Sequence, residues 1–193
     1  MRARLASGNA HKLDELRAAL PAWELALLET DRAYPPEDGS TYDENARGKA
    51  AFGRELGPAD EWALGEDSGI EVAALGGAPG VSSARYGGAG SGKERLLREL
   101  DGVDDRRARY VCTIVAIGPA GEEIVVQGTL EGVIASEQRG SEGFGYDPLF
   151  IPDGEERTVA ELGNAWKREN SHRARAAAAL RDAFVTKPSR ETR

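Results

Sequence analysis

Glu66 and Asp67 are adjacent carboxylates at the head of a stretch that runs Glu-Asp-Ser-Gly-Ile-Glu-Val-Ala-Ala-Leu-Gly-Gly-Ala-Pro-Gly-Val-Ser-Ser-Ala-Arg-Tyr86. The apolar residues before them predict a strand ending at Leu64, and the glycines and prolines after them predict a loop without regular structure. Hard carboxylate oxygens placed this way suit Mg²⁺. That ion keeps several of its waters and takes its other ligands from a few carboxylates and from substrate phosphates. A turn with solvated acids would explain an isolated Asp-Ser-Gly, so the weight falls on the residues that accompany it.

Ser7-Gly8-Asn9-Ala10-His11-Lys12 places a tight turn and a cation where a short strand feeds a helix. The free N–H groups and positive dipole end of such a terminus receive phosphate, and Lys12 adds a full charge. Taken alone, Asn9 reads as a helix cap and His11 as an exposed residue rather than a base. Glu44, Asn45 and Lys49 share a helix face, with Glu44 at capping-box spacing from Thr41 and Glu37 in the loop ahead of them. Gly143-Phe144-Gly145-Tyr146-Asp147-Pro148 combines aromatic faces that stack on a base with a carboxylate that accepts from a base edge, or else forms a plain β-turn. Lys167 precedes Ser171-His172-Arg173, where Ser171 caps an alanine-rich helix and a cation at the helix start opposes the dipole. Gly87 to Lys93 nearly spells a P-loop, but Glu94 stands where the Mg²⁺-binding hydroxyl belongs, so the segment reads as a mobile connector.

The elements that must position these groups alternate. A strand, a helix and a second strand cover the first thirty residues, a helix starts near Thr41, and a helix follows from Lys93 to Leu100. Two long apolar strands, Ala108 to Ile117 and Glu123 to Ile134, form a hairpin, and two helical segments broken near Asn170 close the chain. The hairpin makes the sheet mixed, in an α/β protein. At 193 residues the chain suffices for one domain, expected over 1–185, with a polar tail at 186–193. A net charge of −8 argues against a nucleic-acid surface. No apolar run is long enough for a membrane span or a signal peptide, and the single cysteine, Cys112, falls in an apolar run as a core thiol. A cytoplasmic protein is expected.

Taken in order, Ser7 to Lys12, Glu66-Asp-Ser-Gly with Leu75 to Tyr86, Gly143 to Pro148, and Lys167 with Ser171-His-Arg173 resemble the inosine triphosphate pyrophosphatase family from Ser7 to about Leu180. The resemblance implies an elongated mixed β-sheet flanked by helices, two lobes with the active-site cleft between them, a homodimer, and Mg²⁺-dependent hydrolysis of ITP, dITP and XTP to the monophosphate and pyrophosphate. It also implies roles. Ser7, Gly8, Asn9, Ala10, His11 and Lys12 would cradle phosphates, Glu37 and Asp67 would serve the metal, and Asp67 would be the general base. Ser68, Phe144, Gly145, Tyr146, Asp147, Lys167, His172 and Arg173 would hold the nucleotide. Ser7 and Glu66 replace the family's commoner Thr and Asp, which leaves the second acidic ligand open among Glu37, Glu44 and Glu66. A pyrophosphatase of the septum-inhibitor family and a nucleotide sensor without turnover are the alternatives; Ser171-His-Arg173 argues against the first, and Asp67, Glu66 and Lys12 argue against the second.

Overall fold

A computed structural model describes residues 1–88 and 90–186; most of the expected tail, 187–193, lies outside them. Among the described residues six strands form one sheet: β1 (Arg2–Leu5), β2 (Glu24–Leu27), β3 (Trp62–Val72), β4 (Arg107–Ile117), β5 (Glu123–Ile134) and β6 (Phe150–Pro152). Their order is β2-β1-β3-β4-β5-β6. β1 runs parallel to β2 and β3, and the remaining pairs are antiparallel, as the hairpin of β4 and β5 requires. The helices are α1 (Ala10–Ala19), α2 (Tyr42–Leu56), α3 (Gly92–Glu99), α4 (Val159–Asn170) and α5 (His172–Thr186). Among the described residues no helix is long and apolar enough to cross a membrane.

β3 carries the organisation of the molecule. Successive side chains of a strand point to opposite faces, so Leu64, Glu66, Ser68, Ile70 and Val72 share one face. Leu64 belongs to a core built from β1, β2, α1 and α5, with Leu5, Leu16, Cys112, Ile114 and Leu180. Ile70 and Val72 belong to another, with Leu96, Tyr110, Leu130, Leu149 and Phe150. Glu66 and Ser68 therefore sit between two apolar cores. The opposite face presents Ala63, Gly65, Asp67, Gly69 and Glu71 toward α2, where Ala46 and Ala50 pack on Val115.

The expected strand end at Leu64 is corrected here: β3 continues through both acids to Val72, and the residues beyond include two 3₁₀ turns, Ala73–Leu75 and Gly80–Arg85. Gly69 falls in the segment expected to be a loop, but it and Gly65 allow close packing on an intact strand. A Cβ at Gly65 would lie 1.9 Å from the Ala46 carbonyl oxygen, and one at Gly69 2.3 Å from that of Gly80.

Local signals set the helix starts that matter. Thr41 and Glu44 form the capping box expected for α2. Asn9 caps α1 by accepting from the His11 N–H. Between α4 and α5, Ser171 is extended, and its hydroxyl accepts from the Ala174 N–H at 3.2 Å. The break turns the start of α5 toward the gap between the two cores.

Candidate active site

β1 pairs with β3 only as far as Leu64. Among the described residues no strand lies beside this edge from Gly65 to Gly69, before a bridge between Glu71 and Pro79 covers it again, and the Ser7–Lys12 turn that follows β1 stands at the opening. An open crevice beyond the carboxyl end of a parallel strand is where α/β sheets bind ligands. Glu66 and Asp67 are the first acids past that point, and they leave on opposite faces.

On the α5 side Glu66 is fully buried and anchors cations. Lys12 Nζ lies 2.6 Å from its Oε2, and Arg173 donates to its Oε1 from Nη2 at 2.9 Å and from Nε at 3.2 Å. Burial opposes the charge, but the Arg173 and Lys12 cations outweigh it and hold the Glu66 carboxyl well below the usual range. The Cys112 thiol, 3.2 Å from Oε1, is pushed well up by burial and then by the Glu66 charge, which makes it the inert core thiol expected from sequence.

Arg173 also donates to Ser68 Oγ at 2.9 Å and pairs with Glu15. Glu15 reaches Lys167 Nζ at 2.8 Å; Lys167 in turn lies 2.6 Å from Asp147 Oδ2 and 3.7 Å from the centre of the Phe144 ring. The Tyr110 hydroxyl donates to Asp147 Oδ1 at 3.2 Å, and the Tyr110 ring stacks on His172 with centroids 4.6 Å apart. Phe144 N–H donates to Asp147 Oδ2 at 2.7 Å, closing the turn. Burial, followed by the charge of Arg173, lowers the His172 imidazole well below its usual range, so it is neutral.

On the α2 side Asp67 accepts from Asn45 Nδ2 at 3.0 Å and from Lys49 Nζ at 3.1 Å. Lys49 also donates to the Glu66 carbonyl oxygen at 2.9 Å and pairs with Glu37. Burial raises the Asp67 pKa against the pull of Lys49 and Asn45. A carboxylate shifted upward keeps more basicity than a solvated one, which suits proton abstraction.

A cavity of about 440 Å³ opens on the α5 side, a size that fits a small organic ligand. Asn9, Lys12, Ser68, Phe144, Gly145, Tyr146, Asp147, Lys167, His172 and Arg173 line it, as expected. Ser7, Gly8, Ala10, His11, Glu37 and Asp67 lie outside its lining. His11 is nevertheless stacked on Phe144 at 5.4 Å, and Ser7 Oγ accepts from the Asn9 N–H at 3.1 Å. Lys167 stands with Asp147 and Phe144, and the Arg173 guanidinium is engaged by Glu66, Glu15 and Ser68. Of the segment read as a connector, Gly87, Gly88, Gly90, Ser91, Gly92 and Lys93 contribute to the cavity wall.

Among the described residues no three His, Cys, Asp or Glu side chains gather into a metal cage. Glu37 and Asp67 do converge on one cationic point, now held by Lys49 Nζ, and such a pair fits Mg²⁺ when waters and phosphate oxygens complete its shell. Glu44 is fixed by its own cap, accepting from the Ser40 N–H at 2.6 Å. Sequence reasoning missed Glu15 and Tyr110. Glu15 lies three residues after Lys12 and so on the same helix face, a signal that was available.

The model of the Ham1 family matches residues 3–183. A dITP/XTP pyrophosphatase of Opitutus terrae is 45% identical over 196 residues, covering 93% of this chain and 97% of that protein. One from Thermus thermophilus is 42% identical over 197 residues, covering 97% and 94%. The structure of a HAM1 protein from Coxiella burnetii superposes with a TM-score of 0.84 at 35% identity, covering 97% of this chain and 100% of that one.

Proposed function

Because the chain belongs to the Ham1 family, we propose that it hydrolyses ITP, dITP and XTP to the nucleoside monophosphate and pyrophosphate, with Mg²⁺ bound by Glu37 and Asp67. The observation that carries this reading is the division of Glu66 and Asp67 between two faces of β3 at an open sheet edge. One acid fixes the cations that line the cavity; the other stands outside that lining, beside Asn45 and Lys49.

The phosphates lie along the Ser7–Lys12 turn, whose backbone N–H groups and Lys12 ammonium balance their charge. Glu37 and Asp67 would hold Mg²⁺, which would supply neutralisation of the charge developing on the phosphoryl oxygens. Asp67, oriented by Asn45 and Lys49, accepts the proton of the attacking water. Lys49 keeps Asp67 and Glu37 from repelling one another.

The base enters beside Phe144. The first N–H groups of α5, at His172 and Arg173, have no carbonyl within their own helix to bond. They serve as donors to a purine O6, while the Arg173 guanidinium holds Glu66 and Ser68 in place. Adenine offers an amino donor at position 6, and a donor facing a donor rejects ATP. The same family reading makes the protein a cytoplasmic homodimer, and sedimentation measures that mass.

The test is pyrophosphate release across a panel of ITP, dITP, XTP, GTP and ATP with Mg²⁺. Selective release from the first three is expected; equal release from ATP would refute the assignment.

A further inference from the structure

Three of the four Lys and Arg side chains that line the cavity are tied to carboxylates: Lys12 to Glu66, Lys167 to Asp147 and Glu15, and Arg173 to Glu66 and Glu15. The fourth, Lys93, is half-buried, and among the described residues it has no ion pair or hydrogen bond. It stands in the first turn of α3, where the helix dipole adds positive potential; Glu94 shares that turn but does not pair with it. A cavity for an anionic ligand that neutralises its other cations and leaves one unpaired has placed that one to meet the ligand.

The position of Lys93 says which part of the ligand it meets. A Cβ on the preceding residue, Gly92, would lie 2.6 Å from the Tyr146 hydroxyl, and that hydroxyl donates to the Ser83 carbonyl oxygen at 3.0 Å. The glycine segment is thus seated on the Phe144–Asp147 turn, at the base end of the cavity, whereas Asn9 and Lys12 mark the phosphate end. His172, 5% exposed and with Nδ1 lacking a partner, lines the same end from α5. With the start of α5 assigned to position 6 of the purine, the edge left for Lys93 is position 2.

We propose that Lys93 is a specificity residue whose ammonium donates to the 2-oxo group of xanthine. This rests on the reading that the cavity takes oxidised purine nucleotides. An ammonium has three donors and no acceptor. Xanthine presents an oxygen acceptor at position 2, hypoxanthine only a C–H, and guanine an amino donor. Lys93 therefore attracts the first, is indifferent to the second and is mismatched with the third, which gives the site a means of refusing guanine while accepting its deaminated product.

Calorimetric titration of the intact protein with xanthosine, inosine and guanosine monophosphates tests this without turnover. Lys93→Met should weaken xanthosine monophosphate roughly tenfold, the scale of one charge-assisted hydrogen bond. Inosine monophosphate should be nearly unchanged, so that the preference for xanthine over guanine narrows; Lys93→Arg should restore it. Equal weakening of all three would mean that Lys93 grips phosphate, and no change would mean that it touches no ligand. Either result overturns the proposal, as would a wild-type protein with no preference for xanthine over guanine. Absence of hydrolysis with this preference intact would count against the enzymatic reading alone.

Discussion

The Glu66 and Asp67 carboxylates stand back to back on β3, with Glu66 facing Lys12 and Arg173 while Asp67 faces Asn45 and Lys49. Both are buried, at 0% and 3% exposure, yet their surroundings pull them in opposite directions. Two cations keep Glu66 firmly ionised, whereas burial leaves Asp67 with a raised pKa. On the proposed mechanism Glu66 serves the architecture and Asp67 the reaction, so replacing each in turn should give different phenotypes.

Asp67→Asn should lower kcat by ~10²-fold or more, because the group that takes the proton and one of the two metal carboxylates is lost together. Stability should hardly change. The amide oxygen can still accept from Lys49; its NH2 then faces the Asn45 amide, a mismatch offset by the desolvation cost of the buried carboxylate, which the amide avoids. Steady-state kinetics and thermal melts on the same preparation check both halves.

Glu66→Gln should instead destabilise the fold, by about 3 kcal/mol, since it leaves the buried Arg173 guanidinium with one carboxylate partner fewer. Urea unfolding measures the loss. An unchanged midpoint would show that Glu15 alone suffices for Arg173.

The helix starts at Thr41 and Ser171, the hairpin, the mixed sheet and the buried thiol were all legible in the sequence, because each rests on a local rule of capping or alternation. β3 beyond Leu64 was not. Gly65 and Gly69 weaken strand propensity, and nothing near them in sequence announces that Ala46 and Gly80 need their space. The site residues were legible by type, but their division of labour was not: Lys167 and Arg173 look alike as cations until Glu15, supplied by α1 more than 150 positions away in the chain, claims both.

Stability should fall as the pH drops below 6.5 because of His172. Its folded pKa lies well below that value, so above 6.5 neither state is protonated there and the residue contributes nothing; below 6.5 the unfolded chain takes up a proton that the folded protein refuses. Stability is then lost progressively as the pH falls toward the folded pKa. His172→Asn should flatten that part of a pH series of urea midpoints, and an identical slope in the variant would contradict the assignment.

Chelation should abolish turnover, and added Mg²⁺ should restore it. Glu37, whose side chain is 35% exposed, makes a small contribution to folding, so Glu37→Gln should raise the Mg²⁺ concentration for half-maximal activity by roughly tenfold without a shift in melting temperature. A variant with the wild-type Mg²⁺ dependence would remove Glu37 from the metal site.

The central claim is the position of the cut. Phosphorus NMR of the first products from ITP with Mg²⁺ follows it directly: the account predicts inosine monophosphate and pyrophosphate appearing together and no diphosphate nucleoside. Orthophosphate with inosine diphosphate as the first products would place attack at the terminal phosphate and contradict the account.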